Sequence, residues 1–278
     1  MIDLDALAQA AACLDPLPAS VVRLAAVVAS GDPDLGAISE IVSFDQALTA
    51  GMLRAANSSW SASRTPVTTV RDAIVRLGAA AVLSMALDVN VRGRMERAVP
   101  EYGLAEGDLW RHSVAASLAG ELLQRRARAE VPPEAVAASL LHDVGKLLMA
   151  RFLDDELLVS MHRAHDEGGL SRMAAEAEIL GVHHGELGAL VAQDWGLPEG
   201  IVVGIAYHHD PDSCDATVAY AVHLADCVAK VVVPGEADHD DVEGFAHSME
   251  HLGLSADDYD AICIAVGDRF SDVTRRFE

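Results

Sequence analysis

The chain has 278 residues, of which 51% are hydrophobic and 23% charged, and this balance is typical of a globular protein rather than a disordered one. Its 43 acidic and 20 basic residues give a formal net charge of -23, which excludes a general attraction for nucleic acid or an anionic membrane. A single basic pocket for one small anion remains compatible with this charge. Aromatic residues make up only 4% and alanine is abundant, so an all-α fold of closely packed helices is favoured over a β-sandwich.

We expect a cytoplasmic protein. The acidic start of the chain lacks the basic region of a secretory signal, and no apolar run reaches the roughly 18 residues of a membrane span. The cysteines are scattered without a Cys-x-x-Cys pair, so we interpret them as buried free thiols in a reducing compartment. They are Cys13, Cys214, Cys227 and Cys263.

The first hundred residues predict short helices with clear boundaries. Asp34 and Asp45 are placed to cap two of them, and Thr69 opens another. Gly78 then leads into an apolar helical stretch that ends near Val89. Period-2 alternation of useful length is absent, so no strand is predicted.

From about Asp108 the predicted helices lengthen, the first of them covering residues 108–129. Pro132-Pro133 starts a helix that we expect to continue to about Phe152. An acidic, polar linker is predicted at residues 235–244. The remaining predicted helices cover residues 155–167, 170–180, 184–194, 198–208 and 215–233, and a last one begins at 255–258 and runs to the terminus.

A histidine and an aspartate, His142-Asp143, are adjacent within the apolar stretch ASLLHDVGKLLM, which we predict to be helical. Burying an imidazole and a carboxylate is costly unless something compensates them. A divalent metal would neutralise the carboxylate and accept the imidazole lone pair, whereas the alternative is a buried ion pair or packing contact. Lys146, one turn after His142, could hold a substrate anion or pair with a nearby carboxylate.

Further candidate ligands lie at helix-compatible positions, and four helical segments would converge on His142-Asp143. Asp108 lies one helical turn before His112, but the more common role of an aspartate at such a position is an N-cap. The mixed set suits one or two ions of Fe, Mn, Ni or Zn, and two metals bridged by Asp143 is a reasonable geometry. The additional candidates are His112, His184, His208, His209 and Asp226.

Some of these residues also have a purely structural interpretation. His208 and His209 could form a solvated helix end, where an imidazole favours the C-terminal dipole. Asp226 has the stronger case, because a lone carboxylate in the apolar stretch VHLADCVAK needs a partner. We assign no role to the histidines in polar or linker surroundings, which are His162, His165, His223, His239, His247 and His251.

The order of His112, then His142-Asp143 with Gly145-Lys146, then a late Asp226 resembles the HD superfamily of metal-dependent phosphohydrolases. The additional His184 and His208-His209 resemble the HD-GYP branch, whose members hydrolyse cyclic-di-GMP at a multi-metal centre. The Gly-Tyr-Pro loop expected after the paired histidines is absent, since the chain continues as HHDPDSCDATVAYAVHLAD.

Six blocks resemble the HDOD family, the HD-related output domains of bacterial signalling proteins, in order over roughly residues 10–235. In this resemblance the family position falls on His184, so His183 is interpreted as a bystander. The blocks begin with LDPLPASVVRLAAVVASGDPDLGAISEIVSFDQALTAGMLRAANSS and continue as TPVTTVRDAIVRLG, LWRHSVAASLAGEL, LLHDVGKLLM, LGVHHGELGALVAQDWGLP and IAYHHDP.

The resemblance implies an all-helical regulatory or output module, often without demonstrated catalysis and often lacking part of the HD metal set. This chain differs in keeping a candidate at every expected place. We expect an N-terminal helical subdomain at 1–100, an HD-like domain with the metal site at 101–235 and a helical extension at 236–278.

The expected function is a signalling module that contacts partner proteins, with no nucleic acid or membrane partner. The alternative is a metal-dependent phosphodiesterase or phosphohydrolase acting on a cyclic or other nucleotide. In that case metals at Asp143 would activate water and Lys146 would bind the phosphate. A third hypothesis is a nucleotide sensor that binds its ligand without turnover.

Overall fold

The computed structural model describes residues 14–58, 66–166, 169–233 and 244–274. Within these ranges the fold is all-α, as predicted, and the β contribution is one isolated antiparallel bridge between Val99 and Leu104. The first 13 residues, including Cys13, and nearly all of the predicted acidic linker lie outside the described residues.

In the described residues up to Met95 there are five helices, and the predicted caps are confirmed. The Asp34 side chain accepts from the Gly36 amide, Asp45 accepts from the Leu48 amide, and Thr69 caps its helix as expected. The fifth helix continues past the predicted end near Val89. The helices are α1 (Ala19–Val28), α2 (Leu35–Ser43), α3 (Gln46–Ala56), α4 (Val70–Leu77) and α5 (Ala79–Met95).

The described central and C-terminal residues are also helical and include short 3₁₀ turns at Pro100–Tyr102 and Pro211–Ser213. One helix, Phe245–Leu252, follows the predicted linker and was not expected from the sequence. The helices are α6 (Asp108–Arg126), α7 (Glu134–Leu141), α8 (Gly145–Met149), α9 (Asp155–Asp166), α10 (Arg172–Leu180), α11 (His184–Asp194), α12 (Glu199–Ala206), α13 (Thr217–Val232), α14 (Phe245–Leu252) and α15 (Ala256–Thr274).

Helix α6 lies at the centre of the fold. It packs against α13 and α7 on one side and against α15 and α5 on others, so most of its residues are buried. Helices α11 and α12 pack against each other and against α8 and α7 respectively. This arrangement brings residues from widely separated parts of the sequence to one side of α6.

The prediction of one continuous helix from Pro133 to Phe152 was wrong. Helix α7 ends at Leu141, and His142-Asp143 lies in a turn before α8 rather than inside a helix. The turn tightens because the Val144 amide donates to the Leu141 carbonyl at 2.9 Å, a bond across three residues instead of four.

Within the described residues, no single helix combines the length and the apolar composition of a membrane span. The pair α4 and α5 passes such a test only when taken together, and it is bent by 107°.

Candidate metal centre

Two imidazoles and a carboxylate meet at the inner face of α6. His112 on α6 lies with its Nε2 atom 3.1 Å from Nε2 of His142 and 2.9 Å from Oδ1 of Asp226 on α13. The His142 Nδ1 atom donates to the Ser139 carbonyl at 2.8 Å, so its Nε2 lone pair faces the other two side chains. These three residues form the first group of side chains that could hold a metal ion, with ligand atoms within 4.8 Å of one another.

A second group lies on the other side of Asp143. His184 at the start of α11 and the pair His208 and His209 after α12 place their ligand atoms within 4.8 Å of one another. The Nε2 atoms of His184 and His209 are 2.8 Å apart, and two imidazole lone pairs at this distance need a proton or a metal between them.

Asp143 connects the two groups. Its Oδ2 atom lies 3.5 Å from Nε2 of His142 and 3.8 Å from Nε2 of His112, whereas its Oδ1 atom lies 3.3 Å from Nε2 of His184. One carboxylate oxygen therefore faces each group, which is the arrangement of a carboxylate that bridges two ions.

The two carboxylates of the centre are ionised. Burial favours the neutral acid, but Lys146 and then His142 hold the pKa of Asp143 well below its usual range. Burial acts in the same way on Asp226, and Lys230 together with a hydrogen bond from His112 holds its pKa well below the usual range. Both groups therefore present anionic oxygens at neutral pH.

Each carboxylate has a lysine partner. The Lys146 ammonium lies 2.7 Å from Oδ2 of Asp143, and the Lys230 ammonium lies 2.9 Å from Oδ2 of Asp226. These are the only two lysines in the sequence, against 18 arginines. A compact ammonium on a flexible chain can neutralise one carboxylate oxygen without the wide planar fork of a guanidinium.

His184 is oriented by a carboxylate behind it. Its Nδ1 atom and its backbone amide both contact Oε2 of Glu176 at 2.7 Å, and the Tyr102 hydroxyl donates to the other oxygen at 2.8 Å. Burial opposes both charges, but their mutual attraction lowers the pKa of Glu176 to about 2. The same attraction, together with a hydrogen bond to Asp143, raises the pKa of His184 to about 9. Such a carboxylate fixes the imidazole with Nε2 toward the centre, as outer partners of metal-binding histidines do.

His208 provides a direct test of whether a metal fits. Its side chain is fully buried, its Nδ1 atom donates to the Ile205 carbonyl at 2.7 Å, and its Nε2 atom has no hydrogen-bond partner among the described residues. Burial and then the neighbouring His209 hold the pKa of His208 well below its usual range, so the ring is neutral. A buried, neutral imidazole with an unsatisfied lone pair is the form in which histidine binds a divalent metal.

The structure brings together all seven side chains expected at the metal site. Burial contradicts the interpretation of His208 as part of a solvated helix end. Of the two roles considered for Lys146, the structure shows pairing with a carboxylate, and its partner is Asp143, three residues before it. The seven side chains are His112, His142, Asp143, His184, His208, His209 and Asp226.

Three expectations for neighbouring residues need comment. Asp108 is not the N-cap of α6, because Gly107 occupies that position at φ 82° and Asp108 instead accepts from the Ala105 amide. His183 lies outside the centre and caps α11 by accepting from the Gly185 amide. His223 was wrongly placed in polar surroundings, since it is buried in α13 and donates to the His208 carbonyl at 2.8 Å.

Sequence reasoning missed the roles of Glu176, Tyr102 and Lys230. Lys230 had a detectable signature, since it follows Asp226 by one helical turn and is one of only two lysines. Glu176 had none, because a glutamate within a helix is ordinary and its partners lie at other positions of the fold.

Comparison with known proteins now supplies the family. The profile of the HDOD domain matches residues 14–211, which is well over half of the chain. The chain belongs to the HDOD domain family. The family match includes every candidate of the centre except Asp226 and its partner Lys230.

Two solved structures are similar to this HDOD chain over nearly its whole length. An HDOD domain protein of unknown function from Geobacter sulfurreducens has a TM-score of 0.65 and 22% identity, covering 98% of this chain and 97% of that one. The "Putative phosphohydrolase" from Shewanella amazonensis SB2B has a TM-score of 0.65 and 27% identity, covering 95% and 93%.

A curated relative, an uncharacterized protein of Treponema pallidum (strain Nichols), is 22% identical over 195 residues. The match covers 70% of this chain but only 37% of the relative's length.

Proposed function

We propose that this HDOD chain is a regulatory module of bacterial signal transduction that holds a divalent metal centre and acts through contacts with partner proteins. The observation that carries the proposal is the enclosure of the centre. Six of the seven candidate ligands are no more than 2% exposed, and only His209 is partly accessible. A catalytic metal keeps one position open to water or substrate, whereas a structural metal is closed in by its ligands.

The charge balance around the centre supports the same function. A phosphodiester substrate needs cationic groups that are available to it, but Lys146 and Lys230 are engaged with Asp143 and Asp226. A bound metal would be held by His112, His142, Asp143 and Asp226 in one group and by Asp143, His184, His208 and His209 in the other. There it would link α6, α11, α13 and the segments that follow α7 and α12, so that its presence fixes their relative positions.

A second candidate function is hydrolysis of a phosphodiester. It is favoured by the bridging position of Asp143, by the nearby ammonium of Lys146, and by the 27% identity to the Shewanella "Putative phosphohydrolase". When bound, divalent ions would supply Lewis acidity and an activated water. In this chain Asp143 would hold the metals, and Lys146 would have to leave Asp143 to receive a phosphate.

The two functions are separated by one pair of assays on the metal-loaded protein. The first measures hydrolysis of bis-p-nitrophenyl phosphate and of cyclic-di-GMP. The second measures capture of partner proteins by chemical cross-linking in cells. Asp143→Asn removes the bridging carboxylate, and Asp194→Asn is the matched control at an exposed aspartate.

For a regulatory module we expect no hydrolysis above the Asp143→Asn background. We also expect a cross-linked partner that is retained by Asp194→Asn and lost by Asp143→Asn. Metal-dependent hydrolysis by the wild type and by Asp194→Asn, but not by Asp143→Asn, would overturn the regulatory function in favour of the enzymatic one.

A further inference from the structure

A cavity of about 390 Å³ lies on the other side of α6 from the metal centre. Its walls come from α3, α5 and α6, with Leu77 at the end of α4, Leu140 of α7 and Val273 of α15 closing it. The volume falls within the range of sites that hold small organic molecules. The cavity therefore lies where the N-terminal helices, the HD core and the last helix meet.

The faces of α6 separate this cavity from the metal centre. Trp110, Val114, Ser117, Leu118 and Glu121 follow the helical period and line the cavity. His112 is not among the lining residues, and its imidazole contacts Asp226 and His142 instead. The cavity is thus a separate site rather than an extension of the metal centre.

Most of the wall is apolar, and most of its polar groups bond to one another. The hydroxyls of Ser84 and Ser117 are 2.6 Å apart, and Arg269 donates to Glu121 at 2.8 Å. The apolar part of the wall includes Ala81, Met85, Val114, Leu118 and Leu140. A ligand for this space needs an apolar body.

Asp88 is the polar group best placed to bind a ligand. One of its oxygens accepts from the Trp110 indole at 2.8 Å, and the described residues supply no further hydrogen bond to it. Burial raises the pKa of Asp88, against the lowering effects of Trp110 and of Arg92, which itself pairs with Glu96 at 2.7 Å. A donor that carries a positive charge would therefore gain most from contact with this carboxyl group.

We propose that the cavity binds a small amphipathic amine, with its apolar body against the aliphatic wall and its ammonium donating to Asp88. The net charge of -23 favours a cationic ligand over an anionic one of the same shape. Arg54, an exposed cation at the cavity wall, would disfavour a second positive charge on the ligand. The ligand class is thus a monoamine with an aliphatic or aromatic body.

The test uses octylamine as the probe, with octanol and octanoate as neutral and anionic analogues. Binding is followed by the indole N–H resonances in ¹⁵N-labelled protein. The sequence has three tryptophans, and Trp110→Phe assigns the resonance of the cavity. We expect octylamine to shift this resonance in a saturable manner, octanol to bind more weakly, and octanoate not to bind.

Two variants separate cavity binding from general attraction to an acidic protein. Ala81→Leu fills the space and keeps the charge, so it should abolish binding of octylamine and octanol. Asp88→Asn keeps the shape and removes the charge, so it should weaken octylamine about tenfold or more and leave octanol unchanged.

Should Ala81→Leu unfold, as judged by thermal melting, Val114→Phe fills the same space from α6. Octylamine binding that is equal in the wild type, the space-filling variant and Asp88→Asn would place the amine on the outer surface and overturn the proposal. Absence of a saturable shift in the wild type would overturn it as well.

Discussion

Among the glycines that the structure describes, Gly145 leaves the least room for an added Cβ atom, and it lies beside the centre. A Cβ atom added to it would lie 1.9 Å from the His184 carbonyl oxygen and 2.6 Å from the Gly188 nitrogen. Real Cβ atoms essentially never approach closer than 3.0 Å, so α8 and α11 would have to separate by roughly 1 Å. Both close atoms belong to the backbone and cannot move aside as a side chain end would.

We expect Gly145→Ala to lower the free energy of unfolding by about 1–3 kcal/mol, as overpacking of a closed interior does. The separation would also move Asp143 away from His184, which lie 3.3 Å apart at their nearest atoms. The second group of ligands should therefore lose affinity for metal more than the first. Urea unfolding measures the stability, and titration with Co²⁺ followed by absorbance measures the metal affinity.

Gly93→Ala is the matched control. Gly93 lies within α5, and its added Cβ would meet nothing within 4 Å. Alanine there should stabilise the protein by about 0.5–1 kcal/mol, because it has the higher helix propensity. A Gly145→Ala variant that is as stable as Gly93→Ala and binds metal normally would refute the close approach of α8 and α11.

Three other predictions follow from the contacts around the centre and from one surface pair. Glu176→Gln should lower metal affinity by about 10–100-fold, because Glu176 orients His184. Glu178→Gln, on the exposed face of the same helix, should leave the affinity unchanged, and equal affinities of the two variants in Co²⁺ titrations would contradict this. Lys230→Met should destabilise the metal-free protein by about 1.5–3 kcal/mol, and bound metal should restore much of this loss by neutralising Asp226. A Tm difference between the wild type and Lys230→Met that is the same with and without metal would count against this prediction. The Asp212 carboxylate raises the pKa of His247 above 6.5, so Asp212→Asn should return the NMR titration of His247 toward that value, and an unchanged titration would show that the pair is not formed.

Features of the fold that depend on local chemistry could be predicted from the sequence. The caps at Asp34, Asp45 and Thr69 need only a side-chain oxygen near the first free amides of a helix. The break at His142-Asp143 could not be predicted in this way. His142 and Val144 keep helical dihedral angles, and α7 contains no proline or glycine before the break, so the sequence pattern there is that of a continuous helix.

At the centre, too, the ligands could be predicted from the sequence, whereas the residues that orient them could not. The order of the histidines and aspartates identified the candidate ligands, because six of the seven fall in blocks that resemble the HDOD family. Asp226 was found instead as a lone carboxylate in an apolar stretch. Glu176 and Tyr102 are 74 residues apart and meet only through the packing of the fold. Their contribution to the orientation of His184 could be found only once the structure placed them behind it.

We expect the chain to bind divalent metal through the two groups of ligands joined by Asp143. Elemental analysis of protein purified without chelator tests it directly, with His142→Ala and Asp143→Ala as site variants and His162→Ala as a control at an exposed histidine. We expect one or two ions of Fe, Mn, Ni or Zn per chain in the wild type and in His162→Ala, and their loss from both site variants. A wild-type protein that carries no metal and takes up none on reconstitution would refute metal binding at this centre, as would metal retained equally by all four proteins.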